Sequence, residues 1–276
     1  MGTLYVVGTP IGNLEDVSYR LVRVFRDISL LVAEDTRTAR KLLNRYDLHP
    51  RLISYNEHNH NSRIGTILKV LDEGDVALIS EAGTPVLSDP GCRLVQISRE
   101  HGHRISPVPG PSALATALSV AGMSIDSGVL FLGFLPRRSK DRVQSLTKIA
   151  AGMHLVVAFE VPHRLKKALI DIFETLGDRE IVVCRELTKM HEEVFRGSVS
   201  EAIMYFENPI GEFTLVIAGH PYAPVVLPNE DDLRTRLRAL RDEGLNGKEA
   251  IVRLMDETGA SRRNLYRLWL GIRAEE

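Results

Sequence analysis

The chain is 276 residues long, 44% hydrophobic and 26% charged, with a formal net charge of −1. These proportions exclude a largely disordered or fibrous protein and leave room for two modest cores plus an appendage. A near-neutral total supplies no whole-molecule attraction to nucleic acid, so any RNA binding has to come from local basic patches.

In chain order, short β-branched runs at 4–7, 28–32, 51–54, 76–80 and 104–108 read as strands. Helical stretches separate them, such as the one that carries Val17, Leu21, Val24 and Phe25 at helical spacing. The alternation predicts an α/β domain with a mostly parallel sheet over residues 1–118. A polar, glycine-containing hinge follows at 122–128, and then strand 129–132, helix 140–151, strand 155–159, helix 162–176 and strands 180–184 and 213–218. These predict a second α/β domain over 119–222. Pro221, Pro224 and Pro228 mark a linker into an all-helical tail, 229–276, with helices at 231–242, 247–257 and 261–270. Thr258 and Gly259 separate the last two, a spacing that resembles a helix-turn-helix. Two readings of the tail stay open: a nucleic-acid reader, and a cap packing Leu254, Leu265, Leu268 and Trp269 against the body.

The apolar runs, such as 28–33 and 76–79, are strand-length and far below the roughly 20 residues of a membrane-spanning helix. A strand pattern directly after Met1 predicts no secretory leader, and a cytoplasmic protein is expected. Cys92 and Cys184 lack C-x-x-C spacing, so neither a disulfide framework nor a zinc site is expected. The run Asn56-Glu57-His58-Asn59-His60-Asn61 has no supporting ligand spacing and reads as a polar loop.

Open α/β sheets bind ligands beyond the carboxyl ends of their strands, which directs attention to the loops there. The first, Gly8-Thr9-Pro10-Ile11-Gly12-Asn13-Leu14, lets backbone approach a ligand but is neither G-x-G-x-x-G nor a Walker A sequence. The loop after the fourth strand runs from Ser80-Glu81-Ala82-Gly83-Thr84-Pro85 to Val86-Leu87-Ser88-Asp89-Pro90-Gly91. It offers backbone, hydroxyls and a carboxylate with little side-chain bulk. A third loop, Pro107-Val108-Pro109-Gly110-Pro111-Ser112, ends the fifth strand, with Ser112 placed to cap the next helix.

V-G-T-P-I-G-N-L near the start, A-E-D-T-R from Ala33 to Arg37, S-E-A-G-T-P, P-G-P-S, F-E-V-P-H-R from Phe159 to Arg164 and R-E-L-T-K from Arg185 to Lys189 stand in this order. Together they resemble the 16S ribosomal RNA 2′-O-ribose methyltransferase branch of the tetrapyrrole methylase superfamily, over about residues 3 to 219. The chain departs from that branch at Glu81, where Asp is usual, at Gly8, often Pro or Ala, and at Phe159-Glu160-Val161, often Tyr-Glu-Ser.

The resemblance implies a two-domain homodimeric enzyme that holds S-adenosylmethionine in the cleft between its domains and needs no metal. Its substrate would be a decoding-region cytidine of 16S rRNA within the 30S subunit. Mapped here, the cofactor would touch Pro10 and Ile11, then Glu81, Ala82, Gly83, Thr84, Pro85 and Leu87, then Gly110, Pro111 and Ser112. From the second domain it would meet Phe159, Glu160, Arg185, Glu186, Phe213 and Thr214.

Methyl transfer to a ribose hydroxyl requires alignment, contributing about 7–11 kcal/mol, and removal of a poorly acidic proton. Glu160, His163, Lys189 and Glu193 are acid–base candidates because they lie just after strand ends facing the expected cleft. His163 with Arg164 equally suits a helix start, and Lys189 with Glu193 a surface pair. Basic clusters that would meet phosphate are Arg137, Arg138, Lys140 and Arg142, then Arg164, Lys166 and Lys167, and Arg262, Arg263 and Arg267 of the last helix. Arg37, Arg40 and Lys41 form a further one. A corrinoid or porphyrin methylase would share the cofactor loops, and a helix-turn-helix regulator with a ligand-sensing body would explain the tail.

Overall fold

Five parallel strands form the first sheet of the computed structural model, which describes residues 2–220, 229–258 and 260–274. They are β1 (Thr3–Val7), β2 (Leu30–Ala33), β3 (Leu52–Ser54), β4 (Val76–Ile79) and β5 (Arg104–Val108), in spatial order β3-β2-β4-β1-β5. Every residue of β2 and β4 is buried, so these inner strands read as unbroken apolar runs. Alternate residues nevertheless feed opposite faces. Leu31, Ala33, Ala77 and Ile79 pack with α1 (Tyr19–Asp27) and α2 (Thr36–Arg45) through Leu21, Phe25, Leu42 and Leu43. Leu30, Val32, Val76 and Leu78 pack with Ile67 and Leu71 of α3 (His60–Glu73) and Leu94 of α4 (Cys92–Glu100). Each such leucine contributes about 1.5–3 kcal/mol by leaving water. Ser18 and Asp35 cap α1 and α2 by accepting the Leu21 and Arg37 N–H groups. The strand expected from residue 28 starts at Leu30, because Ile28 closes α1 by donating its N–H to the Val24 carbonyl.

The second sheet is mixed. It contains β6 (Val129–Phe134), β7 (Leu155–Glu160), β8 (Glu180–Arg185), β9 (Glu193–Ser198) and β10 (Phe213–Ile217) in the order β6-β7-β10-β8-β9. β6 and β7 run parallel, whereas β10 is antiparallel to β7 and β8, and β9 to β8. Sequence periodicity misses β9 because Glu193–Ser198, at the sheet edge, has no fully buried residue. The helix after it, α8 (Val199–Tyr205), was equally unforeseen, although Ser198 and Glu201 form a complete capping box. α6 (Ser139–Thr147) and α7 (Pro162–Leu176) cover one face. The other face receives α5 (Ala113–Ala121), whose Ala117 and Ala121 pack among Val157, Val182 and Val216. The domain boundary expected at 118/119 falls inside this helix.

The chain divides into two compact units, Met1–His220 and Pro221–Glu276, with both sheets in the first. In the second, α9 (Glu230–Asp242), α10 (Gly247–Thr258) and α11 (Arg262–Ala274) enclose a core of their own. Leu254, Leu265, Leu268 and Trp269 belong to that core. Pro221, Pro224, Pro228 and Gly259 lie outside the described residues. No helix among the described residues is long and apolar enough to cross a membrane.

Candidate functional site

Because β4 lies between β1 and β2, with β5 on the far side of β1, the loops that leave their carboxyl ends are neighbours. Backbone joins them. The Thr9 N–H donates to the Gly83 carbonyl at 2.8 Å and the Gly83 N–H returns a bond to Thr9 at 3.1 Å. Gly8 and Gly110 touch so closely that a Cβ on Gly110 would stand 2.4 Å from the Gly8 oxygen. Thr84 Oγ1 donates to the Pro111 carbonyl at 3.3 Å.

The second sheet closes over these loops. A Cβ on Gly12 would lie 2.4 Å from Lys189 Cγ, and the Asn13 N–H donates to Thr188 Oγ1 at 3.1 Å. A Cβ on Gly133, at the β6 bulge, would lie 2.6 Å from Ser88 Oγ. Both facing loops hold non-glycine residues in the left-handed region: Val86 (φ 76°) and Ser88 (φ 70°) on one side, Glu186 (φ 51°) and Thr188 (φ 67°) on the other. Such backbone costs of order 1–3 kcal/mol per residue and persists where packing over-determines it. Between the sheets lies a cavity of about 710 Å³, within the range of small-molecule sites.

Its wall brings together Pro10, Ile11, Glu81, Ala82, Gly83, Thr84, Leu87 and Ser112 from the first sheet's loops, and Phe159, Glu160, Phe213 and Thr214 from the second. Pro85, Gly110, Pro111, Arg185 and Glu186 stand off the wall. Gly110 and Pro111 shape the loops from behind, as the contacts above require. Arg185 pairs with Glu193 at 3.1 Å, and Glu186 accepts from Lys189 Nζ and the Glu212 N–H, each at 2.8 Å.

The expected acid–base residues scatter. Glu160 reaches the wall, but its carboxylate is buried and accepts from the Val161 N–H at 2.8 Å and Arg164 Nη2 at 2.9 Å. Lys189 also lines the cavity. Burial favours its neutral form, yet the hydrogen bonds to Glu186 and Glu212 outweigh this and hold its pKa above the usual lysine value, so it is a cation rather than a base. His163 is exposed at the start of α7 and off the wall, and Glu193 on β9 is engaged by Arg185 and the Tyr205 hydroxyl.

Among the basic clusters, Arg142 requires a correction. It is 3% exposed, its Nε donates to Asp171 at 2.7 Å and its Nη1 to the Pro136 carbonyl at 2.9 Å, so it cannot meet phosphate. Arg164 is half-buried against Glu160 and the Leu135 carbonyl. Arg137, Arg138, Lys140, Lys166, Lys167, Arg262 and Arg263 are exposed. Arg267 is exposed too, but it is bonded to Glu230 and Asn264.

Sequence reasoning missed Glu34, Lys41, Asp89 and Phe134 on the wall. Glu34 follows β2 directly, so the carboxyl-end rule pointed to it. Burial raises the Glu34 pKa despite a hydrogen bond from the Glu81 N–H. Burial, then the charge of Glu34, push the Asp89 carboxyl up to about 6, with Glu81 adding to the shift and the Ser80 hydroxyl opposing it. Cys184 lies buried at the wall, its thiol pushed up to about 11 by burial.

The family model for Tetrapyrrole (Corrin/Porphyrin) Methylases matches residues 3–203. The "Ribosomal RNA small subunit methyltransferase I" of Thermotoga maritima is 48% identical over 79% of this chain and 99% of its own length. The protein of the same name from Synechocystis is 42% identical over 100% of both chains. Among solved structures, a cobalamin biosynthetic enzyme, cobalt precorrin-4 methyltransferase, superposes with a TM-score of 0.60 at 17% identity, over 79% of this chain and 94% of that one, and thus shares the fold. Two stacked sheets with loop-lined cleft, the matched model and relatives alike along their whole length agree: the chain belongs to the tetrapyrrole methylase family.

Proposed function

We propose that this protein is an S-adenosylmethionine-dependent methyltransferase of small-subunit ribosomal RNA, and that it methylates the ribose 2′-hydroxyl of a decoding-region cytidine. The observation that carries the reading is the likeness, over the full length of the chain, to a relative named for that class of reaction. On the same resemblance it works in the cytoplasm, as a homodimer, on RNA within the 30S subunit, without a metal.

The cleft suits the cofactor. Ile11, Leu87, Phe134 and Phe159 offer apolar walls for adenine, Gly83 offers bare backbone for its ring edge, and Glu81, Thr84 and Ser112 offer a carboxylate and hydroxyls for ribose and amino group. When bound, S-adenosylmethionine supplies an electrophilic methyl with its leaving group attached. The protein's own residues must then orient the acceptor, exclude water and take one proton. Arg137, Arg138, Lys140, Lys166 and Lys167, with Arg262 and Arg263 of the tail, supply exposed cations for phosphate.

The test uses purified protein, S-adenosylmethionine with a labelled methyl group, EDTA, and either 30S subunits or free 16S rRNA. Label recovered in 2′-O-methylcytidine after nuclease digestion is the expected result. Label on a base, transfer only to a corrin or porphyrin, or dependence on a chelatable metal would overturn the reading.

A further inference from the structure

The proton that leaves the acceptor hydroxyl needs a base, and the expected candidates are locked in pairs or stand off the cavity. Glu34, Glu81, Asp89, Glu160 and Glu212 carry the carboxylates on its wall. Glu160 is tied to the Val161 N–H and Arg164, and Glu212 to Lys189 at 2.9 Å. Glu34 accepts the Glu81 N–H at 3.3 Å, and Glu81 is exposed at the loop that would hold the cofactor. Asp89 differs from all of them, since no backbone N–H among the described residues donates to it. Its loop is held by the left-handed Ser88, whose Oγ sits against Gly133 of the opposite sheet. Resting on the function proposed above, we infer that Asp89 is the general base that accepts the 2′-hydroxyl proton.

The O–H bond breaks as its proton passes to the Asp89 carboxylate, and the electron pair left on oxygen forms the new O–CH₃ bond. Sulfur retains the pair of the broken C–S bond, and Asp89 returns the proton to water. Groups facing Asp89 are Glu34 after β2, Glu81 after β4 and the Ser80 hydroxyl; the cations on the wall are Lys41 of α2 and Lys189, the latter already neutralised by Glu186 and Glu212. Burial and the two glutamates lift the Asp89 carboxyl to about 6, which brings a carboxylate base near working pH. A base acts when ionised, so turnover should rise as pH passes through that value and level off above it.

The test compares full-length wild-type protein with Asp89→Asn, Asp89→Glu and Glu34→Gln. Turnover on 30S subunits is measured from about pH 5 to about pH 8, S-adenosylmethionine affinity by calorimetry, and carboxyl titration by ¹³C-aspartate resonances in the cofactor-free protein. Asp89→Asn should lower kcat about 10²–10⁴-fold with cofactor affinity changed by less than about fivefold. Asp89→Glu should restore part of the rate, and Glu34→Gln, by removing a neighbouring charge, should move the acid limb to lower pH. The aspartate titrating near 6 should vanish from the Asp89→Asn spectrum. Wild-type kcat in Asp89→Asn, loss of cofactor binding in that variant, or no aspartate titrating above the ordinary range would overturn the assignment. A wild-type protein inert on 30S RNA would instead sink the proposed function, while the cofactor-free titration still decides whether Asp89 has a base's environment.

Discussion

At the scale of single residues, the cleft is built by atoms that are missing as much as by those present. Gly8 and Gly110 meet backbone to backbone, and any side chain at either would push β1 and β5 apart where the loops begin. Thr84 is small and half-buried, with its hydroxyl turned to Pro111 and its side chain on the cavity wall. Thr84→Arg should therefore leave the protein folded but fill the space a cofactor needs, weakening S-adenosylmethionine binding by at least about 100-fold, or about 2.7 kcal/mol. Calorimetry reads this directly, and wild-type affinity would mean that the cofactor binds elsewhere. The small residues of this loop were legible in the sequence as a backbone-rich cradle. The close approach of Gly8 to Gly110 was not, because it joins segments about a hundred positions apart.

At the scale of elements, α6 shows how a run of cations divides between surface and interior. Arg137, Arg138 and Lys140 face water, whereas Arg142 shares the buried side of α6 with Leu146, four residues on. There it meets Asp171 of α7, and Ser139 Oγ also donates to that carboxylate at 2.9 Å. Arg142→Ala leaves Asp171 buried without its partner and should cost about 3–5 kcal/mol, read from urea unfolding. Arg137→Gln with Arg138→Gln should leave that midpoint unchanged and, if these residues contact phosphate, weaken RNA binding. An unchanged urea midpoint for Arg142→Ala would refute the structural role given to this pair. The helical spacing of Arg142 and Leu146 was visible in the sequence, but a charged residue on an apolar stripe declares its burial only when the partner on another helix is known.

For the molecule as a whole, about a fifth of the chain has no counterpart in the Thermotoga relative, which matches 79% of this chain with 99% of its own length. The Pro221–Glu276 unit has its own core, so changes on its surface can be tested without disturbing the cleft. On the reading that its last helix contacts RNA, replacing Arg262, Arg263 and Arg267 by Gln should raise the KM for 30S subunits and flatten its salt dependence, with cofactor affinity and the methylated nucleotide unchanged. Arg267 is already bonded to Glu230, so the double variant of Arg262 and Arg263 should reproduce most of the effect. A wild-type KM and salt slope in the folded triple variant would remove the tail from the RNA-binding surface and leave the cations before α6 and at the start of α7.

What the sequence determined by itself is local. Periodicity located nearly every strand of the first sheet and the span of α7, and turn residues marked the loops after β1, β4 and β5, because burial on one or both faces and the demands of tight turns are written into short windows. The edge strand β9, with no buried residue, left no such trace. Only the tertiary structure decided that β4 inserts between β1 and β2, which sets Glu34 beside Glu81 and Asp89, and that the second sheet turns antiparallel at β10. Strand order is chosen by contacts between residues far apart in sequence, and the raised Asp89 carboxyl is a product of that order: burial and a neighbour's charge exist only once distant loops share one cavity.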